Sequence, residues 1–259
     1  MIKKSEELKI AIKAAEEAGK IIRNHFNKKI SKRLKSGTDY VTNADIECEK
    51  KIISIIKKKF PEHNFIGEES GNHNTKSNFA WHIDPIDGTT NFVYGHYELA
   101  VSIALEKDNE IIAGVVYNPI INEMFYAEKN KGAYLNNKKI KVRNEKKVRL
   151  ATVSVSAGRR NLLAKRLPFV FAVEKEIHNI RNFGSAALHL CYAACGRIDA
   201  VLEPLINSWD VAAGILIAEE AGAKVTNFEG GKWLPMKGDV FAANKNLHKK
   251  ILRIIKKCQ

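Results

Sequence analysis

The strongest constraint on the fold is a change of hydrophobic rhythm near residue 60. Before it, Leu8, Ile12, Ala15, Gly19, Ile22 and Phe26 recur at four-three spacing, which predicts a long amphipathic helix. Ile46, Ile53, Ile56 and Phe60 mark a second helix, stopped by Pro61. The polar stretch between them carries Lys35-Ser36-Gly37-Thr38, a turn signal. After residue 60 the pattern shortens to β-like runs at 65–66, 79–83, 100–105, 111–117 and 124–127, with turns at Asp108-Asn109 and Pro119. The second half mixes both rhythms. Residues 152–155, 198–202 and 240–243 read as strands; 185–195, 211–221 and 248–255 read as helices, with Gly222 closing the second of these. Helices, then a run of strands, then mixed elements predict a layered α+β fold rather than an alternating parallel sheet. The charged segment 144–149 is the best boundary between two subdomains, 1–145 and 146–259. No internal repeat or low-complexity tract is present.

Composition narrows the class. A chain of 259 residues with 45% apolar side chains can bury a large core. The formal charge of +14 comes mostly from lysines in scattered pairs and triplets. That spread favours a solvated basic surface and leaves a nucleic-acid partner as the alternative, although no zinc-finger spacing or RNP-like motif accompanies it. The four cysteines form no C-x-x-C pair, which predicts reduced thiols and a cytoplasmic protein. Cys191 and Cys195, four apart on a predicted helix, are expected as core neighbours. The dispersed histidines argue against zinc. The N-terminus lacks a signal-peptide apolar region, and no stretch reaches the ~18 apolar residues of a spanning helix, so no membrane association is expected.

Within HIDPIDGTTNFV (82–93), Asp84 and Asp87 close an apolar run with no Lys or Arg beside them. Buried carboxylates must be protonated, paired or bound to a metal. The two are expected to end a strand and enter a loop stiffened by Pro85. Gly88 gives room for a close backbone approach, and Thr89-Thr90 can open a helical turn whose free N–H groups suit an anion. One loop therefore offers carboxylates for a cation and amides for a phosphate, the needs of metal-assisted phosphoryl chemistry. Glu68 also follows a short strand, while Asp45 and Asp210 fall at helix starts, where either could serve only as a cap.

These residues resemble a known family. FIGEES (65–70), WHIDPIDGTTNFVYG (81–95) and NSWDVAAGILIAEEAGAKV (207–225) are similar, in order, to the three signature segments of the inositol monophosphatase family. KSGTDYVTNADIECE (35–49) and GSAALHLCYAACGRIDAVLE (184–203) resemble its N-terminal loop-helix and its substrate-side helix and strand. The likeness covers nearly the whole chain and extends to bacterial members of the SuhB type. It implies the layered α/β sandwich shared with fructose bisphosphatases.

The resemblance also implies roles. Glu68, Asp84 and the Ile86 carbonyl would hold one Mg²⁺; Asp84, Asp87 and Asp210 would hold a second. Thr89 would orient the attacking water, with Asp45 taking the Thr89 hydroxyl proton. The amides of Gly88, Thr89 and Thr90 would receive the phosphate. Gly184, Ser185, Ala186 and Glu203 would line the alcohol pocket, with Asp87 and Asp210 also touching hydroxyls. Lys35 falls where the family carries a loop lysine. The expected substrate is a small phosphate monoester such as a myo-inositol monophosphate, and the expected assembly is a homodimer. SuhB-type relatives have been linked to RNA polymerase, which keeps an RNA or polymerase contact open.

Rival enzyme classes fit poorly. The D-x-D-G-T of haloacid-dehalogenase phosphatases is here D-x-x-D-G-T, one residue too long. Neither a P-loop nor a G-x-S-x-G motif occurs. Fructose bisphosphatases, histidinol phosphatases and 3′-phosphoadenosine phosphatases share the metal and phosphate contacts, so the alcohol remains the open choice.

Overall fold

The computed structural model describes residues 4–28, 31–36, 39–73, 75–156 and 163–257. In chain order its first half runs α1 (Glu6–His25), β1 (Lys32–Ser36), β2 (Asp39–Thr42), α2 (Asn43–Lys59), β3 (Asn64–Gly67), β4 (Gly71–His73), β5 (Phe79–Asp87), α3 (Thr89–Tyr94), β6 (Ala100–Lys107), β7 (Glu110–Asn118), β8 (Glu123–Glu128), β9 (Ala133–Leu135) and β10 (Lys138–Lys139). The second half runs β11 (Thr152–Val155), α4 (Leu163–Glu174), β12 (Asn179–Arg181), α5 (Ala186–Ala194), β13 (Ala200–Ile206), α6 (Ser208–Glu220), β14 (Ala223–Thr226), β15 (Gly238–Asn244) and α7 (Lys245–Lys256).

Two sheets form the frame. The first has the order β10-β9-β8-β7-β6-β5-β3-β4 and is antiparallel except for the β3–β5 pair. The second has the order β12-β11-β13-β15-β14. Each sheet needs both faces covered, and helices supply the cover. Helices α1 and α2 bury Leu8, Ile22, Ile52 and Ile56 against Trp81, Ile83, Ile103 and Val115 of the first sheet. Helices α5 and α6 lie between the sheets, joining Ala104, Val116 and Phe125 to Val201, Val240 and Ala242. Helix α7 packs Leu247, Ile251 and Ile255 on the outer face, against Val153, Leu202 and Phe241. The result is a helix–sheet–helix–sheet–helix sandwich.

The middle helices are apolar on all sides because both faces are covered: α6 buries every residue from Val211 to Ala218. Their closeness to the first sheet depends on small residues. A Cβ at Gly114 on β7 would lie 3.0 Å from the Ala213 Cα of α6. The expected elements are present, and Gly222 follows the C-terminus of α6 at φ +97°. The β1–β2 hairpin replaces the polar stretch predicted after the first helix, and the turn expected at Gly37 and Thr38 lies outside the described residues. The charged segment 144–149 runs between β10 of the first sheet and β11 of the second.

Candidate active site

Strand β5 carries Asp84 and Asp87 to the edge of the middle layer. The strand continues through Asp87 instead of ending in a loop, and its pairing with β6 breaks register between the two aspartates. That bulge occupies Pro85-Ile86, where a missing N–H costs the ladder least. It is what lets carboxylates three apart converge. The Ile86 N–H donates to Asp84 Oδ1 at 2.9 Å.

Asp210 comes from the far half of the chain, on the first turn of α6. Asn207 is the N-cap, so Asp210 sits at N3, where its Oδ2 accepts the Asn207 N–H at 3.1 Å. Asp45 occupies the same position on α2: Thr42 caps the helix, and Asp45 Oδ2 accepts the Thr42 N–H at 2.7 Å and its hydroxyl at 2.5 Å. Neither aspartate is the cap itself; both are the acidic member of a capping box. The box uses one oxygen, and at Asp45 the other faces the site. Ligand oxygens of Asp84, Asp87 and Asp210 all lie within 4.8 Å of one another.

Glu68 follows β3 and lies beside this group, close enough for its carboxyl to raise that of Asp84. Its turn is tied down by Glu49 of α2, whose two oxygens accept the Glu69 and Ser70 N–H groups at 2.9 and 2.7 Å. Lys35, from β1, reaches over the turn: its Nζ donates to the Glu68 carbonyl at 2.9 Å and to Glu69 Oε1 at 2.8 Å, and lies 3.6 Å from Glu68 Oε1.

Beyond the bulge, Gly88 caps α3 at φ +97°, with its neighbours too close for a side chain: a Cβ would be 2.9 Å from the Glu98 carbonyl oxygen and 3.3 Å from that of Gly184. Thr89 opens α3. Its hydroxyl lies 3.1 Å from Asp45 Oδ1 and 3.0 Å from the Ile86 carbonyl oxygen. Both neighbours are acceptors, so the Thr89 proton points to one of them and its lone pairs remain able to accept from water. Thr90 is exposed beside it.

The alcohol side is built by α5 and β13. Ser185 caps α5, and Asp87 Oδ2 accepts the Ser185 hydroxyl at 2.6 Å and the Ala187 N–H at 2.7 Å. Gly184 is exposed at the turn; Ser185 and Ala186 are buried. Glu203 is enclosed: its Oε1 lies 2.6 Å from His189 Nδ1, and its Oε2 is buried without a hydrogen-bond partner among the described residues. The Phe183 N–H donates to His189 Nε2 at 2.9 Å, so the ring proton sits on Nδ1 and is donated to Glu203. The structure thus brings Asp45, Glu68, Asp84, Ile86, Asp87, Thr89 and Ser185 into one connected network with Asp210 adjoining, and keeps Glu203 closed to solvent.

Crowding raises these acids. Burial pushes Glu68 up to about 7, helped by Asp210 and opposed by Lys35. Asp84 is raised well above the ordinary range by burial and by Glu68, Asp87 and Asp210. Asp87 rises to about 7 from burial, with the Ser185 and Ala187 donors pulling the other way. Asp45 reaches about 6, again from burial, against its Thr42 hydrogen bonds. Among the described residues neither Asp84 nor Asp87 pairs with a Lys, Arg or His. An all-oxygen set of converging carboxylates fits a hard divalent cation.

Comparison with known proteins decides the kinship. A model of the inositol monophosphatase family matches residues 3–259. The chain belongs to the inositol monophosphatase family. It is similar to the protein named Nus factor SuhB of Pasteurella multocida, 41% identical over 97% of this chain and 96% of that one. It is also similar to the inositol-1-monophosphatase of Caulobacter vibrioides, at 38% identity over 93% of this chain and 97% of the relative. The crystal structure of the extragenic suppressor protein suhB from Bartonella henselae superposes with a TM-score of 0.94 at 36% identity, covering 98% of this chain and 99% of that one. The fold is therefore the family's layered α+β sandwich, and the chain is a phosphatase of this family, with an acidic cluster suited to a metal.

Four network members escape sequence reasoning: Glu49, His82, His189 and Ser208. Glu49 sits on α2 among residues read as an ordinary amphipathic face. All four lie inside the quoted motifs, but nothing in a linear string says which polar side chain turns inward to a partner.

Proposed function

We propose that this chain hydrolyses phosphate monoesters of small polyols, a myo-inositol monophosphate foremost, in a Mg²⁺-dependent reaction. Glu68, Asp84 and the Ile86 carbonyl would hold one ion, and Asp84, Asp87 and Asp210 a second. The ions, when bound, supply a water acidic enough to attack at neutral pH and neutralise charge on the leaving alcohol. The observation that carries the reading is the convergence of Asp84, Asp87 and Asp210 within 4.8 Å, beside a Thr89–Asp45 pair at 3.1 Å.

The chain's own residues do the rest. Thr89 accepts a hydrogen bond from the attacking water and aims it, since its own proton is held by Asp45 or the Ile86 carbonyl. Asp45, raised to about 6, is ionised at neutral pH and able to take a proton passed through Thr89. The first-turn amides of α3, at Gly88, Thr89 and Thr90, have no partner within the helix and suit phosphate oxygens. Gly184, Ser185 and Ala186 line the alcohol side, where Asp87 is held by Ser185, and Glu203 would meet a hydroxyl only after parting from its present enclosure.

Phosphate release from a panel of inositol, fructose, histidinol and 3′-nucleotide monoesters, with Mg²⁺ and with chelator, tests the reading. Highest kcat/KM on an inositol monophosphate, abolished by chelator and restored by Mg²⁺, is expected. Full activity in chelator would remove the metal mechanism. Inhibition by Li⁺ is expected from the resemblance. A homodimer is checked by light scattering. The likeness to a Nus factor is the observation behind a second reading, an added role in contact with RNA polymerase or RNA. Retention of polymerase binding by Asp84→Asn, after its turnover is lost, would separate the two.

A further inference from the structure

We propose that His82 is a positioning residue that sets the spacing between the Asp84 strand and the Asp210 helix, and thereby the affinity of the site for divalent cations. The inference rests on the metal-dependent reading above and goes beyond its ligands.

His82 is completely buried in the middle of β5, two residues before Asp84, so both side chains leave the same face of the strand. The ring bridges two elements. Nε2 lies 2.7 Å from Glu106 Oε2 on β6, and Nδ1 lies 2.9 Å from Ser208 Oγ on the first turn of α6. An ionised carboxylate only accepts, so Nε2 carries the proton; Nδ1 then accepts the Ser208 hydroxyl proton. A parallel link stands beside it: Ser102, paired with Asp84 across the β5–β6 ladder, donates its hydroxyl to the Trp209 carbonyl at 3.1 Å. Ser208 and Trp209 immediately precede Asp210, whose carboxylate is itself bound to this turn through the Asn207 N–H. The turn moves as a unit, so its seat on the sheet fixes how far Asp210 stands from Asp84 and Asp87.

Packing alone does not require this arrangement. The cross-strand partners of His82, Ile66 on β3 and Ala104 on β6, are apolar, so their packing does not call for an imidazole. A buried imidazole is costly unless both nitrogens are satisfied, and here both are, by different elements. Two mutually repelling carboxylates are thus held at a set separation by a directional strut that apolar contact cannot provide.

The test is binding of Mg²⁺ by calorimetry and of Mn²⁺ by electron paramagnetic resonance, on the wild-type protein and on His82→Leu, His82→Gln and Ser208→Ala. His82→Leu should weaken both ions by about tenfold. Ser208→Ala should weaken them by about threefold, the loss of one hydrogen bond. His82→Gln, which can donate and accept, should recover part of the loss, and the double variant His82→Leu/Ser208→Ala should match His82→Leu alone. In turnover, the Mg²⁺ concentration for half-activation should rise in parallel while kcat at saturating Mg²⁺ stays within about threefold. Folded His82→Leu with wild-type ion affinity would overturn the positioning role. If that variant does not fold, unchanged affinity in Ser208→Ala overturns it. A wild-type protein that binds neither ion would sink this inference and the phosphatase reading together, whereas a metal-binding wild type with indifferent variants sinks only the strut.

Discussion

Asp84 and Glu203 are both buried carboxylates, 1% and 0% exposed, yet they are treated in opposite ways. Glu203 meets His189 at 2.6 Å, and His189 is in turn fixed by the Phe183 N–H, so this pair is held from within the chain. Asp84 is given a backbone N–H from Ile86 and then three more acids, Glu68, Asp87 and Asp210, each of which raises it further. One region gives its carboxylate a fixed protein donor; the other gathers acids around a carboxylate that pairs with no cation among the described residues. A fold that can do the first has no physical need for the second unless an external cation completes it.

The sharpest way to break this contrast is at Asp84. Asp84→Asn should lower kcat by about 10³-fold or more, because it removes a ligand expected at both ions. It should also make the metal-free protein more stable, by about 1 kcal/mol, because one source of repulsion is gone. Loss of activity together with loss of metal-free stability, measured by chemical denaturation, would mean that the acids stabilise the fold. Next in size, Thr89→Ala should reduce kcat by about 10²-fold while ion affinity in calorimetry stays near wild type. An unchanged rate would take Thr89 out of the mechanism.

On the settled side the expectation reverses. His189→Leu removes the imidazole donor of buried Glu203 and should cost about 1–3 kcal/mol of stability, read from urea midpoints, with Mg²⁺ affinity preserved. A fall in ion affinity as large as the fall in stability would erase the distinction between the two regions. The last comparison is in pH. Glu68 and Asp87 reach about 7 when folded, against an ordinary carboxylate value of about 4. Between those limits the folded metal-free chain holds protons that the unfolded chain has released. Their contribution is therefore full below pH ~4 and is lost as pH rises through ~7, so metal-free melting temperature should decline across that window. Saturating Mg²⁺ should flatten the decline. A metal-free protein whose stability rises from pH 4 to 7 would contradict the crowding of these acids.

Much of the fold was legible because periodicity reports burial. Leu8, Ala15 and Ile22 repeat at helical spacing and all are buried. The alternations that failed to announce themselves belong to short edge elements such as β1, β4 and β10, whose residues bury too little to leave a pattern. At the site, the D-x-x-D-G-T run declared its acids, but their local roles shifted: Asp45 and Asp210 proved to be N3 partners of Thr42 and Asn207 rather than caps. A capping box and a ligand position share one carboxylate, so either reading alone was incomplete.

What the sequence determined by itself is the set of acids, the Pro85–Gly88 punctuation between them and the order of helical and strand segments, since each of these acts over a few residues. Tertiary structure decided what those acids face. Asp210 stands beside Asp84 only because α6 is packed between two sheets, and Ser208 meets His82 across 126 positions of chain. Contacts of that range depend on how layers stack, and stacking is a property of whole buried faces, which no local stretch of residues contains.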